Sequence, residues 1–217
     1  ILYKDASKQA ALFKSGARYH KDFQVALFSR LMRYLGAQQR KQEDSPAERL
    51  YQSVLRASRQ PDLYNEFEVM DHLDSRFDML CLHISLLMGR LRMLPDDVHK
   101  PLNQELFDRF FADMDLTLRE IGVGDLGVGK RVRKMSEAFM GRLTAYSEAL
   151  EQNDKPALAL ALARNVRRAE GCTDIDRHMA DYVMACRDRL AVVSDEKLQI
   201  GTIDLVVVLG LQDEHHD

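Results

Sequence analysis

Apolar residues recur three to four positions apart along most of the chain, which is the spacing of one buried face of an α-helix. The longest such stripe covers residues 74–93, where apolar side chains occupy most of the helix circumference. A helix of this kind is either buried on several sides or presents a second apolar face to a partner. Shorter stripes with the same spacing lie at residues 50–55, 106–121, 132–150, 158–166 and 175–193.

Start and stop signals separate these stripes into individual helices. Ser45 and Glu48 frame a capping box, in which each side chain bonds a free backbone N–H at the start of a helix. Pro61 and Pro95 end two of the stripes, because proline cannot continue a helix. The sequence therefore predicts an all-α fold, a single multi-helix bundle of six or seven helices over residues 45–193.

A basic N-terminal arm, residues 1–44, precedes the predicted helical domain. Within the arm, residues 22–35 place apolar side chains on one helical face, with Arg30 and Arg33 elsewhere. Such an amphipathic helix can lie on an anionic membrane or a ribosomal surface. Docking on the protein's own domain is an equally open alternative.

A C-terminal tail, residues 194–217, interrupts the helical pattern. Its segment TIDLVVVLGL, at positions 202–211, predicts an isolated β-strand. No other segment of the chain predicts a clear strand with which it could pair. The chain is therefore expected to consist of the arm, the helical domain and this tail.

The formal charge of −3 is distributed unevenly along the chain. Residues 1–43 hold nine Lys or Arg against three Asp or Glu, a net charge of +6, so the remaining residues carry −9. A basic arm on an acidic body indicates that the arm contacts an anionic partner.

The chain's three cysteines and its apolar runs bear on its location. The cysteine number is odd and no Cys-x-x-Cys spacing occurs, which is typical of a reduced intracellular protein. No apolar run approaches the roughly 18 residues of a membrane-spanning helix. We therefore expect an intracellular protein that is soluble or peripheral on a membrane.

The segment GVGDLGVGKRVRK, at positions 122–134, joins two of the predicted helices. It holds four of the chain's 11 glycines, and Gly122 is expected to cap the first helix. The second helix is expected to open with four cations, although the positive end of a helix dipole favours anions. A local conflict of this kind indicates a functional surface. The candidate partner-binding residues are Gly122, Gly124, Asp125, Gly129, Lys130, Arg131, Arg133 and Lys134.

The same segment also contains an alternative, a degenerate phosphate-binding loop over residues 124–130. The residues from Gly124 to Lys130 fit the pattern G-x-x-x-x-G-K, and the alternative function is a nucleotide-dependent enzyme. Arg131, however, occupies the position where Ser or Thr would bind magnesium, and a helical stripe precedes the loop in place of a strand. The pattern therefore favours a turn between helices that carries a basic patch.

Other chemically suggestive residues indicate structure rather than catalysis. Asp113 and Asp115 are two positions apart on a helix and so point in different directions. His83 has no carboxylate or cysteine at metal-ligand spacing, which favours a hydrogen-bonded structural histidine. We therefore assign no catalytic, cofactor-binding or metal-binding residue.

Four segments carry a family resemblance. SPAERL at 45–50, SRFDMLCLH at 75–83, LFDRFFADMD at 106–115 and LREIGVGDLGVGKRVRKM at 118–135 resemble the ubiquinol–cytochrome c chaperone family, in its alphaproteobacterial type. The segments occur in the expected order and spacing, and the resemblance covers roughly residues 46–166. The glycine-rich basic segment is its most specific part.

The resemblance implies a function as well as a fold. Members of this family are all-helical, non-enzymatic factors without a cofactor that handle newly made cytochrome b and assist assembly of the ubiquinol–cytochrome c reductase. The implied partners are cytochrome b or its assembly intermediates, with a second assembly factor, the membrane surface and the ribosome as further candidates. No DNA partner is implied. The implied location is the cytoplasm, with a peripheral position on the inner face of the inner membrane as an alternative, or the mitochondrial matrix in a eukaryote.

Overall fold

The computed structural model describes residues 44–211, which form α-helices joined by short turns. The N-terminal arm up to residue 43, with the amphipathic helix predicted at 22–35, lies outside the described residues. The helices are α1 (Pro46–Ser58), α2 (Pro61–Glu66), α3 (Leu73–Leu91), α4 (Asp96–Glu120), α5 (Asp125–Glu151), α6 (Lys155–Leu162), α7 (Asp174–Ala191), α8 (Asp195–Ile200) and α9 (Leu205–Val208), with a π-helical turn at Ala163–Arg167 after α6. The predicted all-α fold is confirmed.

Helix α3 is the centre of the bundle. Fifteen of its 19 residues are buried, and it packs against α1, α4, α5 and α7. The first of the two alternatives, burial on several sides, is therefore correct within residues 44–211. An aromatic cluster fills the space beside it, with ring centroids 4.6 to 5.9 Å apart among Phe107, Phe110, Phe111 and Phe139.

The polar positions of α3 have separate roles. Arg76 is exposed, whereas His83 and Arg90 are buried. The Arg90 guanidinium donates to the carbonyls of Leu190, at 3.1 Å, and Val193, at 2.6 Å. These carbonyls lie at and just beyond the end of α7, so Arg90 joins α3 to the end of α7.

The start of α1 shows half of the predicted capping box. The Glu48 N–H donates to Ser45 Oγ at 3.1 Å, as predicted. The Glu48 carboxylate, however, accepts from Gln52 at 2.9 Å and pairs with Arg109 of α4. In a complete capping box the Ser45 N–H would also donate to the Glu48 carboxylate. Here the ion pair with Arg109 replaces that bond, because α4 places a cation beside this buried helix start.

The strand predicted at residues 202–211 is wrong, since this segment contains α9. The Asp204 carboxylate accepts from the Val206 N–H at 3.0 Å at the helix start. Leu205 and Leu209 are both buried, and their spacing of four is helical. Valine-rich runs favour strands only where a sheet receives them, and here α1 and α7 do so instead.

The last two helices pack against the first. The Leu205 N–H donates to Ser53 Oγ of α1 at 2.7 Å. Between α8 and α9, Gly201 has a left-handed backbone, with φ at 70°. A Cβ atom at Gly201 would lie 2.5 Å from the Pro46 carbonyl oxygen. Glycine is therefore required where the chain turns back onto α1.

Replacing Gly201 with alanine is expected to lower the free energy of unfolding by about 2 kcal/mol, because alanine disfavours a positive φ and its Cβ would crowd the Pro46 carbonyl. Urea unfolding measures the effect. The matched control is Gly171→Ala, where a Cβ meets no atom within 4 Å. Equal stability of the two variants would contradict the close approach to α1.

Within residues 44–211, no helix has both the length and the apolar character needed to span a membrane.

Candidate functional site

The glycine-rich segment begins with the predicted helix cap. Helix α4 ends at Glu120, and Gly122 has a φ of 85°. The Gly122 N–H donates to the Arg119 carbonyl at 2.9 Å, and the Val123 N–H to the Leu118 carbonyl at 3.0 Å. These two bonds form a Schellman motif, so the prediction that Gly122 caps the first helix is confirmed.

The prediction that the second helix opens with the four cations is wrong. Helix α5 begins at Asp125, with Gly124 as its N-cap, and Gly127 and Gly129 lie inside the helix. Asp125 suits the positive helix end, and it pairs with Arg119 of α4. Lys130 is the sixth helical residue, so the cations lie beyond the first turn and do not oppose the dipole.

The phosphate-loop alternative is not supported by this geometry. A phosphate loop presents free backbone N–H groups between a strand and a helix. Here the preceding element is the helix α4, and the N–H groups of Gly127 and Val128 donate to the Gly124 carbonyl, at 2.7 and 3.1 Å. From Gly127 onward, the N–H groups that would surround a phosphate are therefore used within the helix.

The four cations nearest the start of α5, Lys130, Arg131, Arg133 and Lys134, are exposed, and we call them the α5 cations. Arg133 Nε donates to Glu137 Oε1 at 3.1 Å. Among the partners available in residues 44–211, Lys130, Arg131 and Lys134 form no ion pair.

Two acidic residues of α4 that could have paired with the α5 cations, Asp113 and Asp115, have other partners. The Asp113 carboxylate accepts from the Tyr51 hydroxyl at 2.7 Å. The Asp115 carboxylate pairs with Arg119 Nε at 2.6 Å on the same helix. Asp113 and Asp115 thus point in different directions, as predicted, and neither neutralises α5.

A pocket of about 540 Å³ lies beside α5, and two of the α5 cations line it. Arg131 and Lys134 belong to its wall, whereas Lys130, Arg133 and the candidate residues at the turn do not. The structure therefore divides the predicted site into a pocket-facing pair and an outer group. The other lining residues come mainly from α3 and α4 and comprise Arg59, Leu73, Asp74, Arg76, Phe77, Asp78, Leu80, Met114, Thr117, Leu118, Met135, Ala138, Arg142 and Arg168.

A buried ion cluster forms part of the pocket wall. Asp78 of α3 is fully buried, and its two carboxylate oxygens pair with Arg142 at 2.7 Å and Arg168 at 3.1 Å. Arg168 also pairs with Asp74 at 3.1 Å. Burial raises the pKa of the Asp78 carboxyl, and the two guanidinium groups oppose the rise. The cluster therefore joins α3, α5 and the turn after α6 through one charged group.

Sequence reasoning missed this cluster. Its one local signal is Asp78 itself, a carboxylate within the otherwise apolar stripe of α3. A buried charge requires partners. The partners, Arg142 and Arg168, are far away in sequence, so the stripe alone could not identify them.

His83 is a structural histidine, as predicted. Nδ1 lies 2.8 Å from the Met79 carbonyl oxygen and Nε2 lies 2.8 Å from the Tyr182 hydroxyl. Complete burial lowers the pKa of His83 to about 4, although the bond to Met79 opposes this change. The neutral ring donates from Nδ1 and accepts at Nε2, which satisfies both nitrogens.

In the part of the chain that the structure describes, no three His, Cys, Asp or Glu side chains come together in an arrangement that could hold a metal ion.

Comparisons with known proteins agree with the resemblance seen in the sequence. The profile of the family described as ubiquinol-cytochrome C chaperone matches residues 65–205, which include all but one of the pocket-lining residues. The crystal structure of the Cbp3 homolog from Brucella abortus is similar, with a TM-score of 0.65 and 39% sequence identity over 82% of this chain and 94% of that one. No curated protein matches the chain. The chain belongs to the ubiquinol–cytochrome c chaperone family.

Proposed function

We propose that this protein is a non-enzymatic assembly chaperone that binds newly made cytochrome b and assists assembly of the ubiquinol–cytochrome c reductase. The observation that carries the proposal is the family match over residues 65–205, which includes the glycine turn, the α5 cations and most of the pocket. The pocket combines apolar and cationic side chains, and this combination suits a protein segment that is only partly apolar.

We further propose that the α5 cations, with the turn residues Gly122, Gly124, Asp125 and Gly129, form the partner-binding surface. Three of the α5 cations form no ion pair within residues 44–211, and exposed cations of this kind can bind acidic groups of another protein. The partner is cytochrome b or an assembly intermediate, with a second assembly factor as a further candidate. The proposed place of action is the cytoplasmic face of the inner membrane.

Affinity capture from cells tests the proposed function. The tagged protein should retain cytochrome b when cytochrome b is being synthesised, and the signal should vanish in cells that lack its synthesis. Assembled reductase should decrease when the protein is deleted. Capture of other membrane proteins in equal amounts, or normal reductase levels after deletion, would refute the assignment.

Replacing all four α5 cations with glutamine should leave the melting temperature nearly unchanged while weakening cytochrome b capture. Three of the cations have no ion pair within residues 44–211, and the fourth makes only the exposed Arg133–Glu137 pair, which contributes at most about 0.5 kcal/mol. Capture by the unaltered protein should weaken as salt rises, because exposed charges are screened.

The control variant for this prediction is Arg177→Gln, which breaks the exposed Arg177–Asp174 ion pair on α7 and leaves Asp174 in place. It should alter neither melting temperature nor capture. If the glutamine variant has a lower melting temperature but still captures cytochrome b, the α5 cations stabilise the protein's own fold and do not bind the partner.

A further inference from the structure

The pocket beside α5 concentrates positive charge on an acidic part of the chain. Residues 44–217 carry a net charge of −9, yet six Arg or Lys side chains and two Asp side chains line the pocket. Such a local reversal of sign raises the concentration of anionic groups at the pocket.

Three of these six cations are already neutralised by neighbours. Arg142 and Arg168 pair with the buried Asp78. Arg76 makes a two-point ion pair with Asp71, at 2.6 and 2.8 Å. These three cations therefore stabilise the pocket wall and are not available to bind a ligand.

The other three cations are available to an incoming group. Arg59 follows the end of α1, and Arg131 and Lys134 lie about one turn apart on α5. All three are exposed, and none forms an ion pair with any residue between 44 and 211. Two guanidinium groups and one ammonium group, from the end of α1 and from α5, thus line one pocket, where they can bind a carboxylate.

Apolar side chains form the rest of the wall. Phe77, Leu80, Met114 and Leu118 are nearly buried, and Met135 of α5 is half-buried among them. Methionine adapts its shape to what it contacts, so Met114 and Met135 can accept apolar side chains of different outlines. The volume lies within the range of about 300–1,000 Å³ that is usual for binding pockets.

We infer that this pocket binds a client polypeptide segment in which an acidic side chain is flanked by apolar side chains. The inference rests on the proposed chaperone function and adds the chemistry by which the client is recognised. The acidic group binds Arg59, Arg131 and Lys134, and the flanking apolar groups contact the α3–α4 wall.

The wall favours a polypeptide over a lipid chain. Asp78, Arg142 and Arg168 all line the pocket, so an acyl chain placed there would cover charged groups without offering them hydrogen bonds. A polypeptide carries an N–H and a C=O at nearly every residue and can satisfy such groups. A lipid has polar groups only at its head group, so its acyl chain cannot form these hydrogen bonds.

Peptide binding to the purified full chain tests the inference. The probe is a short labelled peptide of Leu and Glu in amphipathic helical order, with one control peptide in which Gln replaces Glu and another in which Ser replaces Leu. Fluorescence anisotropy should show binding of the Leu–Glu peptide and about tenfold weaker binding of each control. Equal affinity for the Gln peptide would overturn the inference.

Two matched double variants locate the binding. Arg131→Gln with Lys134→Gln removes two pocket cations, and the control Arg164→Gln with Lys197→Gln removes two exposed cations that lie outside the pocket and outside the proposed partner-binding surface. The pocket variant should lose about tenfold in affinity and the control variant about twofold or less. Equal losses would show that only diffuse charge matters and would refute the pocket.

Vesicles of phosphatidylglycerol test whether the pocket binds a lipid instead of a polypeptide. The inference would be overturned in favour of a lipid site if the protein sediments with these vesicles, loses this ability when Arg131 and Lys134 are replaced, and does not bind the Leu–Glu peptide. The outcome is separable from the proposed function. If the protein binds the peptide but does not capture cytochrome b, cytochrome b is refuted as the client. If the Arg131→Gln, Lys134→Gln variant captures cytochrome b as well as the unaltered protein does, only the pocket is refuted.

Discussion

Replacing Asp78 with alanine is expected to lower the free energy of unfolding by about 3–5 kcal/mol. The carboxylate is fully buried and is the ion-pair partner of Arg142, whose side chain is itself largely buried. Its removal leaves a guanidinium without a counter-charge in a low-dielectric site. Urea unfolding at neutral pH measures the loss.

Two further variants separate the ion cluster from general effects of charge. Asp71→Ala removes one partner of the exposed Arg76 pair and should cost about 1 kcal/mol or less. The double variant Asp78→Leu with Arg142→Met removes both buried charges and should recover much of the stability that Asp78→Ala loses. A single variant as stable as the unaltered protein would show that Arg142 can reach solvent, which contradicts the described geometry.

Acid should destabilise the protein through His83, by about 2 kcal/mol at pH 5 and about 3 kcal/mol at pH 4 relative to pH 8. Burial holds the pKa of His83 at about 4 in the folded protein, below its unfolded value of 6.5. Between these values the unfolded chain binds a proton that the folded protein does not. Stability is therefore lost as pH falls from 6.5 to 4, and the His83 contribution becomes constant below that window.

Urea unfolding across this pH range, compared with a His83→Gln variant, tests the prediction. The variant should be less stable at pH 8, because it loses bonds to Met79 and Tyr182. Its further loss on going to pH 5 should be smaller than that of the unaltered protein by about 2 kcal/mol. Parallel pH curves for the two proteins would show that His83 is protonated without cost.

Periodicity predicted the helices well because their apolar faces are continuous along the sequence. The stripes from α1 to α7 are each buried in one core, and the central position of α3 follows from its nearly complete apolar circumference. Periodicity failed where a few tertiary contacts decide the outcome. Residues 205–208 form a helix because α1 and α7 bind Leu205 and Leu209 at helical spacing.

The candidate site was predictable only in part. The glycines and cations of residues 122–134 are adjacent in sequence, so a turn with exposed positive charge could be predicted. The pocket could not, since Arg59 and Arg168 reach it from distant parts of the chain. The division of the α5 cations depends on what packs beside the helix, and the sequence of α5 does not contain that information.

The packing of α8 and α9 on α1 sets the order in which this chain can fold. The Arg49 guanidinium donates to the Ile200 carbonyl at 2.6 Å across 151 positions, and Ser53 receives the Leu205 N–H across 152. During synthesis α1 leaves the ribosome long before these partners exist. The part of α1 around Arg49 and Ser53 can therefore be covered by α8 and α9 only after Leu205 has left the ribosome, whereas α1 can pack on α3 and α4 earlier.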